Sequence, residues 1–446
     1  MEPANDLLEL YQNLTPSRFL TQEDAQFYVG VYDEKIKLLR LDLLMQASEK
    51  LTIYVSGQSG SGKTTALHFL PDEAINQRFV VFPVLGSDLF DLHDIEIVDI
   101  LLMLGNQLAI GTPELEVQFK KELERIAKKF KGQYEEIDET EKTEGSSKGG
   151  GLKGWLKGNP LSALLNVMGV EATAFADYKL DRNKRQLVRE VFNPSVKDIL
   201  QLTNDIIKAY LQLKAPDKEL LIIFHELNHI KNLELIGELF IDNRNTLEGI
   251  RARKVITIPV SLIPDPEFGP EVFFLGTKTR ASGLDHDPDS EREATENREA
   301  LRRIIQKRIH NGAPLISEEA LELAIEQSGG NIRQLVSILF FATRKGVVSK
   351  VETLTVEEVE EGMAEMRRIL ERSMITSSKI DLLHYVGTHK VLGGMDNKPL
   401  FRECALSNQI LIYENKNIWY DINPLIRETV DVYAERLAKD RAKKEE

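Results

Sequence analysis

The fold of this chain is decided by the stretch Gly57-Gln58-Ser59-Gly60-Ser61-Gly62-Lys63-Thr64, which satisfies the pattern G-x-x-x-x-G-K-[ST]. A short β-branched and aromatic run, Leu51–Val55, precedes it, and the residues from Thr65 to Leu70 are typical of the first turns of a helix. Strand, glycine loop and helix in this order are the context in which the pattern forms a phosphate-binding loop. The stretch therefore predicts a nucleoside triphosphate site, rather than a plain glycine-rich turn.

Each part of this loop has a separate predicted role. Its glycines let backbone N–H groups close around phosphate oxygens. The ammonium group of Lys63 would reach the β- and γ-phosphates, and the hydroxyl of Thr64 would ligate magnesium. The predicted cofactors are therefore ATP and Mg²⁺. The predicted binding residues in the loop are Gly57, Gln58, Ser59, Gly60, Ser61, Gly62, Lys63, Thr64 and Thr65.

Composition limits the class of protein. The 446 residues carry a formal net charge of −14, which argues against a chain that binds nucleic acid over its whole surface. Cys404 is the only cysteine, so an intrachain disulfide is excluded. The polar start of the chain and the lack of a long apolar run predict a cytoplasmic protein without a membrane segment.

The chain beyond the loop alternates apolar runs with helical patterns, which indicates a parallel α/β sheet. The runs predicted to be strands are Phe79–Leu85, Glu219–Phe224, Lys254–Val260 and Pro270–Leu275. Residues 132–158 combine an acidic cluster with a Ser/Gly/Lys stretch, which predicts a flexible insertion. The next helix has a basic front that is expected to be a solvated face, formed by Arg182, Lys184, Arg185 and Arg189.

Taken together, these features resemble the AAA+/STAND class of P-loop ATPases, in the branch close to origin-recognition-type ATPases. They are also similar to ATPases of bacterial signalling and phage-defence operons. The segment Ser328-Gly-Gly-Asn-Ile-Arg333 resembles the sensor-2 motif of a helical lid, which implies that Arg333 reaches back to the γ-phosphate. Thr257 or Ser261 stands where the family has sensor 1, and Tyr28 lies in a segment that resembles the adenine-side segment of the family. As alternatives, Thr257 is a plain strand residue and Tyr28 a packing residue.

The resemblance implies an α/β fold, in which a P-loop core with a parallel sheet is followed by a helical lid and a C-terminal winged-helix domain. The wing is expected around Glu414–Asn417. The predicted domains are an entry segment at 1–50, the ATPase core at 51–280, the lid at 281–375 and the winged-helix-like domain with a charged tail at 376–446.

The chain departs from this family after the third strand. The apolar run Leu221–Phe224 is followed by His225 and Glu226, where the family has an acidic pair. His225 would stand in the place of the aspartate that orders magnesium, and a neutral imidazole is a poor substitute because magnesium prefers oxygen ligands. Glu226 is the predicted catalytic carboxylate. Binding of ATP is therefore expected, with slow or impaired hydrolysis.

The same residues match a second motif. His225-Glu226-Leu227-Asn228-His229 reads as H-E-x-x-H, which on a helix would place two imidazoles around zinc with the glutamate as general base. A zinc metalloprotease is therefore a minor alternative. Against it, the preceding residues are typical of a strand.

The predicted function is a nucleotide-dependent switch, scaffold or assembly ATPase for partner proteins. The alternative is an active ATP-hydrolysing remodeller. The expected partners are other protein subunits, in a homo-oligomer or with an effector chain, and the resemblance adds a role in bacterial antiviral defence. Strong DNA binding is not expected, because the basic residues between Ile380 and Arg427 are scattered among acids.

Overall fold

The computed structural model of the protein describes residues 2–144, 182–265, 268, 272–281, 288–372, 374, 376–393, 398–414 and 417–445. Seven strands lie within these residues. They are β1 (Thr52–Ser56), β2 (Phe79–Leu85), β3 (Glu219–His225), β4 (Arg253–Thr257), β5 (Val272–Phe274), β6 (Ile410–Glu414) and β7 (Ile418–Ile422). The predicted strands are therefore present with different bounds: β4 ends at Thr257, three residues before the predicted end, and β5 begins two residues later than the sequence indicates.

Eighteen α-helices lie within the same described residues. They are α1 (Leu7–Asn13), α2 (Asp33–Met45), α3 (Lys63–His68), α4 (Glu73–Arg78), α5 (Gly86–Leu89), α6 (Ile97–Ala109), α7 (Pro113–Glu144), α8 (Arg182–Phe192), α9 (Val196–Lys214), α10 (Leu233–Gly237), α11 (Arg244–Glu248), α12 (Pro288–Gln306), α13 (Glu318–Gln327), α14 (Ile332–Ser349), α15 (Val356–Glu371), α16 (Ser377–His389), α17 (Lys398–Leu406) and α18 (Arg427–Glu445). Short 3-10 turns cover Gln22–Phe27, Asn193–Ser195, Leu227–His229, Val260–Leu262 and Pro424–Ile426, and a π-turn covers Glu238–Asp242.

Five strands form one sheet in the order β2-β3-β4-β1-β5. The pairs β2 with β3, β3 with β4 and β1 with β5 are parallel. The glycine loop follows β1, which lies between β4 and β5. This order confirms the predicted α/β P-loop core. The helices from α12 to α15 form the predicted helical lid, and the antiparallel hairpin β6–β7 with α16, α17 and α18 forms the C-terminal winged-helix domain.

The chain divides into two compact units, of which the first comprises residues 1–42, 53–72 and 257–446. One continuous apolar cluster forms its core. Helices of the lid contribute Ile325 and Leu339, and the C-terminal domain contributes Ile410 and Ile426, all fully buried. The glycine loop, the lid and the C-terminal domain therefore belong to the same unit.

The second unit comprises residues 43–52 and 73–256. Strand β3 lies at its centre, and the side chains from Leu220 to Phe224 are at most 1% exposed. A strand that is buried on both faces reads as a continuous apolar run, which explains the sequence at this point.

The predicted flexible segment 132–158 also begins in this unit. Helix α7 covers its first residues up to Glu144, and the remainder lies outside the described residues.

The expectation of a solvated basic face on α8 is wrong at Arg185 and Arg189, and the side chains of its other two members lie outside what the structure describes. Arg185 and Arg189 are 6% and 7% exposed and lie in a cluster of ion pairs. Arg189 reaches Asp99 at 2.5 Å and Asp94 at 2.6 Å, and Arg185 reaches Asp94 at 3.1 Å. The acidic residues that follow β2 thus neutralise the front of α8. In sequence the two sides of this cluster are about ninety residues apart, so no local pattern shows the pairing.

None of the described helices combines the length and the apolar character that crossing a bilayer requires.

Candidate functional site

The glycine loop joins β1 to α3 and has an unusual backbone. Gly57, Gly60 and Gly62 have φ angles of +147°, +91° and +93°. At Gly60 a side chain would also lack space, because a Cβ atom there would lie 2.5 Å from Cβ of Arg333 and 2.7 Å from Oδ1 of Asn331. Only glycine combines this backbone conformation with such a close neighbour. The loop is therefore shaped by its glycines and by the start of α14 together.

Lys63 lies at the first position of α3 and is 4% exposed. Its Nζ donates hydrogen bonds to the carbonyl oxygens of Gly57 and Gln58, both at 2.8 Å. Both acceptors are neutral. Burial, and then the charge of Arg333, lower the pKa of Lys63 to about 7. An anion close to the loop would favour the charged form of this lysine.

Arg333, which the sequence analysis proposes as sensor 2, lies against the glycine loop. Its Nη1 donates to Oγ of Ser59 at 3.2 Å, and its backbone N donates to the carbonyl of Gly60 at 2.9 Å. Asn331 is the N-cap of α14 and accepts from the backbone N of Gln334. The structure thus brings the loop and Arg333 together across more than 270 residues of sequence. The contact of Arg333 with a phosphate stays a prediction.

Three further contacts to the loop were missed by sequence analysis. The amide Nδ2 of Asn331 donates to the carbonyl of Ser59 at 2.8 Å, and Nδ2 of Asn408 donates to the same oxygen at 3.0 Å. Nε2 of Gln58 donates to the carbonyl of Ile412 in β6 at 2.8 Å. A polar residue just before a helix is a sequence signal for the cap at Asn331. Asn408 carries no such signal, because its partner is distant in sequence.

Tyr32 contacts the loop, and Tyr28 packs on the residue that follows α3. The hydroxyl of Tyr32 donates to the carbonyl of Ser61 at 2.7 Å, and burial raises the pKa of Tyr32. Tyr28 stacks on Phe69 with ring centroids 3.9 Å apart, and burial raises its pKa to about 12. The stack fits the packing alternative for Tyr28. Thr65 accepts a hydrogen bond from the backbone N of Leu20 at 3.2 Å.

The end of β4 places both sensor-1 candidates in the interior. Thr257 is the last residue of the strand and is fully buried. Ser261 is 2% exposed and lies in the 3-10 turn Val260–Leu262. A role of either residue in sensing phosphate stays a prediction.

His225 and Glu226 follow the apolar part of β3 in the second unit. His225 is 1% exposed and ends the strand. Glu226 has a φ of +69°, a left-handed conformation that a residue with a side chain rarely adopts. Its carboxylate accepts hydrogen bonds from the backbone N of Ser87, at 3.1 Å, and from the Ser87 hydroxyl. A strained carboxylate at a strand end is the kind of feature that clusters at functional sites.

The structural premise of the zinc alternative is wrong. An H-E-x-x-H zinc site needs both histidines on one face of an α-helix. Here His225 ends a strand, Glu226 is left-handed, and His229 lies in a 3-10 turn. Within the part of the chain that the structure describes, no group of three or more His, Cys, Asp or Glu side chains could hold a metal ion.

No protein-family model matches this chain, and no curated protein matches it. Among solved structures, the chain is similar to Drosophila ORC bound to DNA, with 12% identity and a TM-score of 0.39 over 96% of this chain and 91% of that chain. It is similar to the Aeropyrum pernix ORC2 protein in its ADPNP-ADP complexes, with 12% identity and a TM-score of 0.38 over 97% and 98% of the two chains. Cdc6p from Pyrobaculum aerophilum gives 13% identity and a TM-score of 0.38 over 96% and 98%. Likeness at this level does not extend to function, and the P-loop fold follows from the strand order and the place of the glycine loop.

Proposed function

We propose that this chain is an ATP-binding P-loop module that acts as a nucleotide-dependent switch or scaffold for partner proteins. The observation that carries the proposal is the convergence of Lys63 and Arg333 on the glycine loop. The two side chains are close enough for Arg333 to lower the pKa of Lys63, and the acceptors that Lys63 contacts are neutral carbonyls. A polyphosphate would supply the negative charge that two adjacent cations favour.

The residues of the loop fit this ligand by their chemistry. The loop backbone from Gly57 to Gly62 would hold phosphate oxygens through its N–H groups. Lys63 and Arg333 would neutralise phosphate charge, and the hydroxyl of Thr64 would serve as an oxygen ligand for Mg²⁺. Bound magnesium would screen the charge of the phosphates. The role of each of these residues is part of the proposal.

A switch role is supported by the contacts that the lid and the C-terminal domain make with the glycine loop. A single loop residue, Ser59, contacts the lid through Asn331 and Arg333 and also contacts the C-terminal domain through Asn408. A ligand that changes the loop would therefore alter contacts with both. A ligand shifts a conformational equilibrium by as much as its affinity differs between the two states. Release or capture of a partner subunit would follow from such a shift.

ATP hydrolysis with remodelling of a partner is the second candidate. The left-handed backbone of Glu226 favours it, since such strain is retained where the surrounding structure needs the side chain in one place. His225, in place of an acidic residue, argues for a low rate of hydrolysis.

Membership of a homo-oligomer, a cytoplasmic location and a role in bacterial antiviral defence remain predictions from the sequence and its resemblance.

Calorimetric titration of the full chain with ATP and Mg²⁺ tests the proposal. The wild-type chain is expected to bind, Lys63→Ala to lose detectable binding, and Arg333→Ala to bind at least tenfold more weakly, on the scale of a hydrogen-bonded charge. Arg344→Ala is the matched control, because Arg344 lies on the same helix, is exposed and packs on Phe341. Binding by Lys63→Ala with wild-type affinity would overturn the assignment of the loop.

A further inference from the structure

Five polar residues from three distant parts of the first unit form a closed circuit of hydrogen bonds. We name it the amide ring and define it as Ser59, Asn331, Gln334, Asn423 and Asn408. The carbonyl oxygen of Ser59 accepts hydrogen bonds from Nδ2 of Asn331 (2.8 Å) and from Nδ2 of Asn408 (3.0 Å). The carbonyl oxygen of Asn408 accepts from Nδ2 of Asn423 (3.0 Å), and the side-chain amides of Asn423 and Gln334 form two hydrogen bonds with each other (2.8 and 3.0 Å). The backbone N of Gln334 closes the circuit by donating to Oδ1 of Asn331 (3.0 Å). The ring thus connects the glycine loop, the lid and the C-terminal domain.

The ring fixes the direction of one peptide group in the loop. In a trans peptide the carbonyl of one residue and the N–H of the next point in opposite directions. Two amide donors hold the carbonyl of Ser59, so the N–H of Gly60 is turned away from Asn331 and Asn408. The next peptide is held as well, since Gly60 O accepts from Arg333 N at 2.9 Å and Ser61 N donates to Gln58 O at 3.1 Å.

The fixed direction matters because the loop is rich in glycine. A glycine loses more conformational freedom than any other residue when its backbone is ordered. A loop whose N–H groups already point in one direction loses less conformational entropy when it binds an anion. Contacts to the outward carbonyls of the loop would therefore strengthen anion binding at its N–H groups without touching the anion.

Asn408 is the member of the ring whose side chain contributes a single hydrogen bond. It follows α17, has a left-handed φ of +57°, and its Nδ2 donates to the Ser59 carbonyl across 349 residues. Its Oδ1 is buried and has no hydrogen-bond partner among the residues that the structure describes. The donor contact to Ser59 is therefore what the side chain contributes. Asn331, by contrast, also caps α14.

We infer that Asn408 is a positioning residue of the nucleotide site, so that the C-terminal domain is needed for full affinity for the phosphates. Asn408 acts through the Ser59 carbonyl on the N–H of Gly60 and does not itself contact the ligand. This inference rests on the proposed function, because it assigns to the C-terminal domain a part in binding the same polyphosphate.

Two substitutions of Asn408 in the full chain test the inference. Asn408→Gly removes the amide and keeps the left-handed backbone, which glycine adopts readily. Asn408→Asp keeps the shape and replaces the donor by an acceptor. We expect the Kd of Asn408→Gly to rise about fivefold, which is the scale of one neutral hydrogen bond, and the Kd of Asn408→Asp to rise further. The same increases are expected with ATP and Mg²⁺ and with inorganic pyrophosphate. Lys350→Gly is the control, since Lys350 also has a φ of +57° and is exposed at the end of α14.

Hydrogen exchange separates positioning from general stability. In the ligand-free chain, Asn408→Gly is expected to speed exchange in a peptide covering residues 57–64, with exchange in the middle of α14 unchanged. Equal Kd values for wild type, control and both Asn408 variants, or unchanged exchange in the loop, would overturn the inference and leave the proposed function intact. A wild-type chain that binds neither ATP nor pyrophosphate would overturn the proposed function itself, and the inference with it.

Discussion

The guanidinium of Arg333 donates to Oγ of Ser59 at 3.2 Å, although 274 residues separate them in the chain. This contact brings a permanent positive charge to a loop that already holds the buried ammonium of Lys63. The lowered pKa of Lys63, about 7, follows from burial first and from Arg333 second. The protonation state of the loop is therefore sensitive to pH near neutrality.

Binding of a polyphosphate is expected to be coupled to proton uptake by Lys63. With a pKa of about 7 the free lysine is mostly neutral at pH 8, whereas phosphate favours the charged form. Binding at pH 8 should therefore take up a large fraction of a proton per site, and binding at pH 6 should take up much less, by linkage. Calorimetry in buffers of different ionisation enthalpy measures this number. Lys63→Arg, whose side chain stays charged, should abolish the uptake, and an uptake that persists in this variant would refute the assignment.

Hydrolysis of ATP is expected to be slow, because His225 provides no anionic oxygen for hydrated magnesium. Single-turnover assays should show a faster reaction for His225→Asp than for the natural chain, and a slower one for Glu226→Gln. His225 is 1% exposed, so the thermal stability of His225→Asp must be measured in parallel. A fast natural enzyme that the substitution does not improve would contradict this interpretation.

The buried pair of Arg189 and Asp99 is expected to matter strongly for stability. Arg189→Ala leaves the Asp99 carboxylate buried beside fewer partners and should lower the free energy of unfolding by about 3 to 5 kcal/mol. Urea unfolding measures the loss. The exposed ion pair of Arg125 and Glu122 provides the control, and Arg125→Ala should leave the urea midpoint nearly unchanged, because water screens a charge pair at the surface. Adding Asp99→Asn to the Arg189→Ala chain should recover part of the loss, and a double variant whose effect is the sum of the two single variants would show that the pair does not act as a unit.

Duplex DNA is expected to bind the full chain weakly, with a shallow dependence on salt. Arg402 pairs with Asp265 at 2.9 Å, Lys379 pairs with Glu403 at 2.6 Å, and Lys390 pairs with Asp421 at 2.7 Å. Cations that are already neutralised release few counterions from DNA. Fluorescence anisotropy over a series of salt concentrations measures the slope. Tight binding that weakens steeply with salt would contradict the prediction, and Asp265→Asn, which frees Arg402, should increase the slope.

The sequence by itself determined the core of this protein. The glycine pattern between Val55 and Thr65 needs positive φ angles and close backbone approach, which few residue types permit, so it identifies the loop and the strand before it. Strand β3 is a continuous apolar run because both of its faces are buried. Sensor-2 resemblance also led to Arg333, since a Gly-Gly-Asn start marks the beginning of a helix. Each of these signals lies within a short window of sequence.

Tertiary structure alone decided which distant residues meet. Asn408 reaches Ser59 across 349 residues, and Arg189 reaches Asp99 across 90, so neither pairing leaves a local pattern. The basic front of α8 is typical of a solvated face, and it is buried because acidic residues from another segment neutralise it. The motif from His225 to His229 could bind zinc only on a helix, and the sequence already favoured a strand up to Phe224. The structure extends that buried strand to His225 and makes Glu226 left-handed. Burial and long-range pairing decide these positions, because leaving a buried charge unpaired costs more free energy than the local preferences of a few residues contribute.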